Sequence, residues 1–114
     1  KFNLNITNAP VLWYAAGSSN TLHCDNSIID NGIVTQITDW KTSAIIFLND
    51  NFDGGDFLLY PTDKNITLDK SAGNSYIFPV SIKHEVTKIT KGNRYSLIWF
   101  LKNTNIKFNS KSII

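Results

Sequence analysis

The chain has 114 residues and a mass of 12.8 kDa, which is enough for one domain and no more. Eleven Lys+Arg against nine Asp+Glu leave a net charge of +2 with the basic residues scattered, which excludes a dedicated nucleic-acid binder, and no apolar stretch approaches the roughly 18 residues of a membrane span. A single cysteine, Cys24, excludes a disulfide framework and a cysteine-rich zinc site, while 42% hydrophobic residues allow a packed core.

In chain order, almost every segment reads as strand. Apolar and polar residues alternate in Phe2-Leu4-Ile6 and again from Ile33 to Ile37. Apolar or β-branched runs follow at Ala44–Leu48, Phe57–Tyr60, Ile66–Leu68, Tyr76–Val80, Glu85–Ile89 and Tyr95–Leu101. Turn chemistry separates them: Gly17-Ser18-Ser19-Asn20, Asp30-Asn31-Gly32, Asp53-Gly54-Gly55, Ala72-Gly73-Asn74 and Lys91-Gly92-Asn93. No window keeps the i, i+3, i+4, i+7 spacing of an amphipathic helix. The pattern predicts an all-β unit, an antiparallel sandwich or barrel of jelly-roll type, over residues 1–114 as a single domain. Lys1 is not an initiator residue, so the chain reads as processed or truncated and a missing leader says nothing about targeting. The lone thiol fits a reducing, cytoplasmic compartment. Asn5 and Asn65 head Asn-Ile-Thr sequons that read as accidents of an Asn-rich composition.

The rare residues carry the chemistry. In Leu22-His23-Cys24-Asp25-Asn26, strand parity points His23 and Asp25 to one face and Cys24 to the other, so Cys24 gets no catalytic role. A strand placed opposite can bring His84 round to them. Two His and one carboxylate make the facial set of non-haem Fe(II) oxygenases; a chance His-x-Asp triplet and a three-ligand zinc site are the competing readings. Arg94 is the only arginine beside ten lysines, and parity puts Arg94, Ser96 and Ile98 on one face. A guanidinium fork beside a hydroxyl suits a bidentate grip on a carboxylate, whereas a plain surface charge is served equally well by lysine.

These residues resemble the 2-oxoglutarate- and Fe(II)-dependent dioxygenases, in the prolyl 4-hydroxylase-like branch. His23-x-Asp25, His84, and Arg94 ten residues further on with Arg94-x-Ser96 carry the resemblance. So do Leu12-Trp13-Tyr14-Ala15-Ala16-Gly17, Ile45-Ile46-Phe47-Leu48-Asn49 with Phe52-Asp53-Gly54-Gly55-Asp56-Phe57, and Ile77-Phe78-Pro79 ahead of His84-Glu85-Val86. They occur in the family's order across roughly residues 12 to 101. The resemblance implies a double-stranded β-helix (jelly-roll) core whose N-terminal supporting helices are missing from this chain. It implies Fe(II) held by His23, Asp25 and His84, and 2-oxoglutarate held by Arg94, Ser96 and Tyr14, with O2 as the oxidant and ascorbate as an accessory reductant. The implied reaction hydroxylates an unactivated C–H bond with release of succinate and CO2, on a prolyl residue of a peptide or protein. Alternatives are a same-fold oxygenase acting on a small molecule or another side chain, and a non-catalytic jelly-roll binding module. Ile45 and Ile98 are expected to line the cosubstrate pocket, Phe47 and Trp99 to be core, and Asp53-Gly54-Gly55-Asp56 to be a hairpin turn rather than a Ca²⁺ loop.

Overall fold

The computed structural model describes residues 10–36 and 40–102, so the strand expected at Phe2-Leu4-Ile6, the Asn5 sequon and Ile37 lie outside the described residues. The described residues form strands and no helix, so none is long and apolar enough to cross a membrane. One four-stranded antiparallel sheet runs in the order β1 (Val11–Tyr14), β12 (Arg94–Leu101), β5 (Thr42–Phe47), β9 (Ser75–Pro79). The other runs β2 (Asn20–His23), β10 (Lys83–Val86), β7 (Phe57–Tyr60), β8 (Ile66–Thr67). Consecutive strands alternate between sheets along much of the chain, which is the jelly-roll wiring that the strand spacing predicts.

Alternation dictates what faces what. Ile45 and Phe47 on β5 meet Phe57 and Leu59 on β7, and Leu68, Phe78 and Val86 complete the core between the sheets. Each wholly buried side chain of this size contributes roughly 1.5–3 kcal/mol of transfer free energy. Phe47 meets Phe57 edge-on at 6.2 Å, an arrangement favoured by ring quadrupoles.

Two further two-stranded sheets complete the described strands. β3 (Ser27–Asp30) pairs with β4 (Ile33–Gln36) through Asn31 at φ 49° and Gly32 at φ 79°. Positive φ at both central positions is the type I′ requirement that Asn-Gly meets at low cost. The run Glu85–Ile89 is not one strand. β10 ends at Val86, Thr87 N–H donates to Asp56 O at 2.9 Å, and β11 (Ile89–Lys91) begins a separate pairing. Its partner is β6 (Asp53–Gly54), so the segment expected to be a hairpin turn is a short strand ending in a corner between sheets. Gly54 and Gly55 both have positive φ, and a Cβ on Gly54 would overlap the Lys88 carbonyl while one on Gly55 would overlap the Ile89 side chain. Only glycine fits there. Lys70 closes the corner by donating to Gly54 O at 2.6 Å and to Asp56 Oδ1 at 2.7 Å.

Candidate active site

His84 is buried on β10 and His23 half-buried at the end of β2, and the two are register partners on adjacent strands. The two strands are therefore neighbours within one sheet, not opposite one another, because β2 is the edge strand that β10 recruits. Their rings lie 4.3 Å apart. Strand β2 ends at His23, yet Asp25 still turns back to the same side, with Oδ1 at 3.1 Å from His84 Nε2 and 3.4 Å from His23 Nε2. Cys24 takes the opposite direction, buried with its thiol 3.4 Å from Ser81 O.

Both imidazoles are oriented alike. His23 Nδ1 lies 2.6 Å from Thr21 O and His84 Nδ1 3.0 Å from Ile82 O. A carbonyl only accepts, so each Nδ1 carries the proton, and a neutral ring then aims an Nε2 lone pair at Asp25. Two lone pairs and a carboxylate oxygen converging in this way require a cation between them, either a proton or a metal ion. The three donor atoms lie within 4.8 Å of one another, and two imidazoles with one carboxylate suit Fe(II) with open positions. Burial pushes the Asp25 carboxyl up, but hydrogen bonds with His23, His84 and Ser43 outweigh it and hold the group well below the ordinary carboxylate range. The Asp25 hydrogen bond raises the pKa of His23.

The other end of the site is built on β12. Arg94 is 1% exposed, and its Nε and Nη2 have no hydrogen-bond partner. Its guanidinium lies over the Tyr14 ring at 5.0 Å and the Phe47 ring at 5.3 Å, and burial lowers its pKa. Ser96 is equally buried on the same face, and its Oγ is also unpartnered. A cavity of about 300 Å³ joins the two ends, lined among others by Tyr14, Ile45, Ile98 and Arg94 together with His23, Asp25 and His84. Ile45 and Ile98 thus sit where expected. Ser96 lies between Arg94 and Ile98 along the strand but does not itself line the cavity. Tyr14 lines it and accepts from Asn20 Nδ2 at 3.1 Å, which leaves the phenol proton free for a second partner. A buried cation with orphaned donors fits an anionic ligand, and a carboxylate matches the fork geometry.

The family model of the 2OG-Fe(II) oxygenase superfamily matches residues 9–102. The chain belongs to that superfamily. Superfamily membership implies Fe(II) and 2-oxoglutarate, and the donor set at Asp25 and the orphaned donors of Arg94 fit the pair. The chain is 27% identical to a PKHD-type hydroxylase of Saccharophagus degradans over 79% of its own length and 41% of the relative's. It is 35% identical to one of Phenylobacterium zucineum over 75% and 39%. The chain therefore spans about two fifths of the length of these curated relatives. A Pseudomonas putida prolyl-4-hydroxylase structure superposes with a TM-score of 0.64 at 24% identity, covering 86% of this chain and 52% of that one. A 2OG-Fe(II) oxygenase family oxidoreductase from Burkholderia pseudomallei gives 0.66 at 23% identity, covering 79% and 39%. These neighbours share the jelly-roll fold of this chain.

Two residues of the site escaped sequence reasoning. Ser43 donates to Asp25 Oδ2 at 2.5 Å from the opposite sheet. The signal was its parity with Ile45 and Phe47, two and four residues on, which a strand starting at Ala44 hides. Asn49 donates to Asn93 O at 2.7 Å and accepts from Tyr95 N–H at 2.8 Å, bracketing the backbone of Arg94.

Proposed function

We propose that the chain is the catalytic domain, residues 1–114 around a core at 12–101, of an Fe(II)- and 2-oxoglutarate-dependent dioxygenase that hydroxylates a prolyl residue in a peptide or protein. One observation carries the reading. A buried arginine with two unpaired donors and a His-His-Asp donor set line the same cavity. A metal-binding module alone has no use for Arg94, and a hydrolytic zinc centre has none either. The hydroxylase names of the curated relatives support the reaction class, and the prolyl-4-hydroxylase neighbour supports the substrate.

When bound, iron and cosubstrate supply the oxidising power: one atom of O2 enters the substrate C–H bond and the other enters succinate as 2-oxoglutarate loses CO2. The protein's part is positioning. His23, Asp25 and His84 would hold the metal through Nε2, a carboxylate oxygen and Nε2. Arg94 Nε and Nη2 would grip the distal carboxylate of the cosubstrate, with the Tyr14 hydroxyl as a further donor and Ser96 beside Arg94 on β12 but outside the cavity lining. Phe57 stacks on the His84 ring at 5.4 Å and 10°, and Phe78 meets it edge-on at 5.2 Å, which fixes the ligand and keeps its surroundings dry. Ascorbate as the reductant of the iron and a cytoplasmic setting belong to the same proposal.

Succinate release measured with Fe(II), 2-oxoglutarate and a panel of proline-containing peptides tests it. Turnover is expected to rise with peptides and not with free amino acids. Stimulation by metabolites alone overturns the prolyl substrate, and no succinate under any condition overturns the oxygenase.

A further inference from the structure

Ser43 is 0% exposed on β5, in an inward row whose other members are Ile45 and Phe47. A hydroxyl in such a row costs desolvation unless it is partnered. Its partner is Asp25 Oδ2, at 2.5 Å. The other oxygen, Oδ1, is the one beside His84 Nε2 at 3.1 Å and His23 Nε2 at 3.4 Å. The two oxygens of one carboxylate are thus divided between two environments.

We infer that Ser43 is a positioning residue that reserves Oδ2, holds Asp25 to ligation through Oδ1 alone, and so keeps a metal coordination position open. The inference rests on the reading of His23, Asp25 and His84 as an iron site. The terminal torsion of an aspartate is broad and soft, so an unrestrained carboxylate can turn both oxygens to a metal. Three protein ligands would leave an octahedral ion three positions, all of which a chelating 2-oxo acid and O2 together would need. A fourth protein oxygen would close one of them. The main chain around Asp25 is already fixed: its N–H donates to Val80 O at 3.2 Å, and the neighbouring Cys24 thiol reaches Ser81 O. Side-chain rotation is the freedom left, and Ser43 removes it. Because Ser43 comes from the sheet opposite the two histidines, the same bond ties the ligand set across the sandwich.

Anaerobic titration of the chain with Co²⁺, followed by visible absorption, tests this without turnover. Ser43→Ala is expected to weaken Co²⁺ binding about 10- to 100-fold, the usual cost of losing a partner behind a metal ligand, and to change the ligand-field bands. Ser43→Thr, which keeps the hydroxyl, is expected to restore the wild-type spectrum with affinity within about threefold of wild type on the same scale. Wild-type affinity and spectrum in Ser43→Ala overturn the inference, as does a Ser43→Thr variant that loses as much as alanine does. Circular dichroism checks the fold. Where alanine unfolds the chain, Ser43→Cys decides, since a thiol fills the space as a weak donor. Weakened binding there supports the inference and wild-type behaviour overturns it. Failure of the wild type to bind Co²⁺, or equal binding by Asp25→Ala, overturns the iron-site reading itself and this inference with it.

Discussion

The two ends of the cavity solve the problem of buried charge in opposite ways. At the metal end, Asp25 is satisfied by His23, His84 and Ser43, and each histidine is satisfied by a backbone carbonyl. At the clamp end, Arg94 and Ser96 are buried with donors that meet nothing. A network closed on itself stabilises the fold before any ligand arrives, whereas an unpaired buried cation costs stability that only a ligand returns. On the proposed function, the metal end would be preformed for affinity, and the clamp end would keep its donors for the ligand.

The largest expected effect comes from breaking the satisfied end. Asp25→Ala removes the anion that unites both imidazoles, and Fe(II) affinity after anaerobic addition is expected to fall more than about 100-fold, since a metal ligand is lost rather than a partner hydrogen-bonded behind one. Iron content equal to wild type would put the metal elsewhere. Next comes the clamp. Arg94→Lys keeps the charge and loses the fork, so the apparent Kd for 2-oxoglutarate is expected to rise about 10- to 100-fold, as loss of a bidentate charged pair worth about 1.5–3 kcal/mol requires. Metal affinity should stay unchanged in the same titration. Arg94→Leu sharpens the contrast further. A buried charge without a partner carries a desolvation cost that an apolar side chain does not, so the ligand-free variant should melt at or above the wild-type temperature while losing all stabilisation by 2-oxoglutarate. Marked destabilisation of ligand-free Arg94→Leu would show that Arg94 is satisfied in solution and would remove the contrast.

The contrast also divides what the sequence makes legible. Arg94 stood out because ten other positive charges are lysines, and His23, Asp25 and His84 because their residue types are rare here. The strands at Phe57–Tyr60 and at Tyr95–Leu101 were legible from short apolar runs bounded by turn residues, and the Asn31-Gly32 hairpin from its turn chemistry. β1, with Trp13 66% exposed, was not, since a four-residue edge strand buries too little to print a pattern. The break after Val86 was invisible because Thr87 leaves the ladder for Asp56, a partner 31 residues away. Neighbourhood of β2 and β10 was equally hidden: spacing along the chain carries no information on which strand recruits an edge. Ser43 falls just before the run expected at Ala44–Leu48, and its acceptor lies 18 residues back across the sandwich.

The smallest effect concerns a residue that touches neither ligand. Asn49 accepts from Tyr95 N–H and donates to Asn93 O, on either side of Arg94, while Leu48 N–H donates to Tyr95 O at 3.0 Å. The loop before β6 therefore grips the backbone from which the clamp projects. Asn49→Ala removes the two side-chain hydrogen bonds to β12 and a third to Asn51 Oδ1 at a partly exposed position, each worth about 0.5–1.5 kcal/mol, but keeps the backbone bond that holds the strands together. The start of β12 loosens without unfolding, and Arg94 samples more orientations. A two- to tenfold rise in the 2-oxoglutarate Kd is expected on that scale, with metal affinity unchanged. Isothermal titration measures both, with metal added to the metal-free chain and 2-oxoglutarate to the metal-loaded one. If Asn49→Ala weakened metal and cosubstrate alike, the two ends would not be independently supported. The loss would then belong to the sandwich as a whole, because His23 and Asp25 share no hydrogen bond with the Asn49 loop among the described residues.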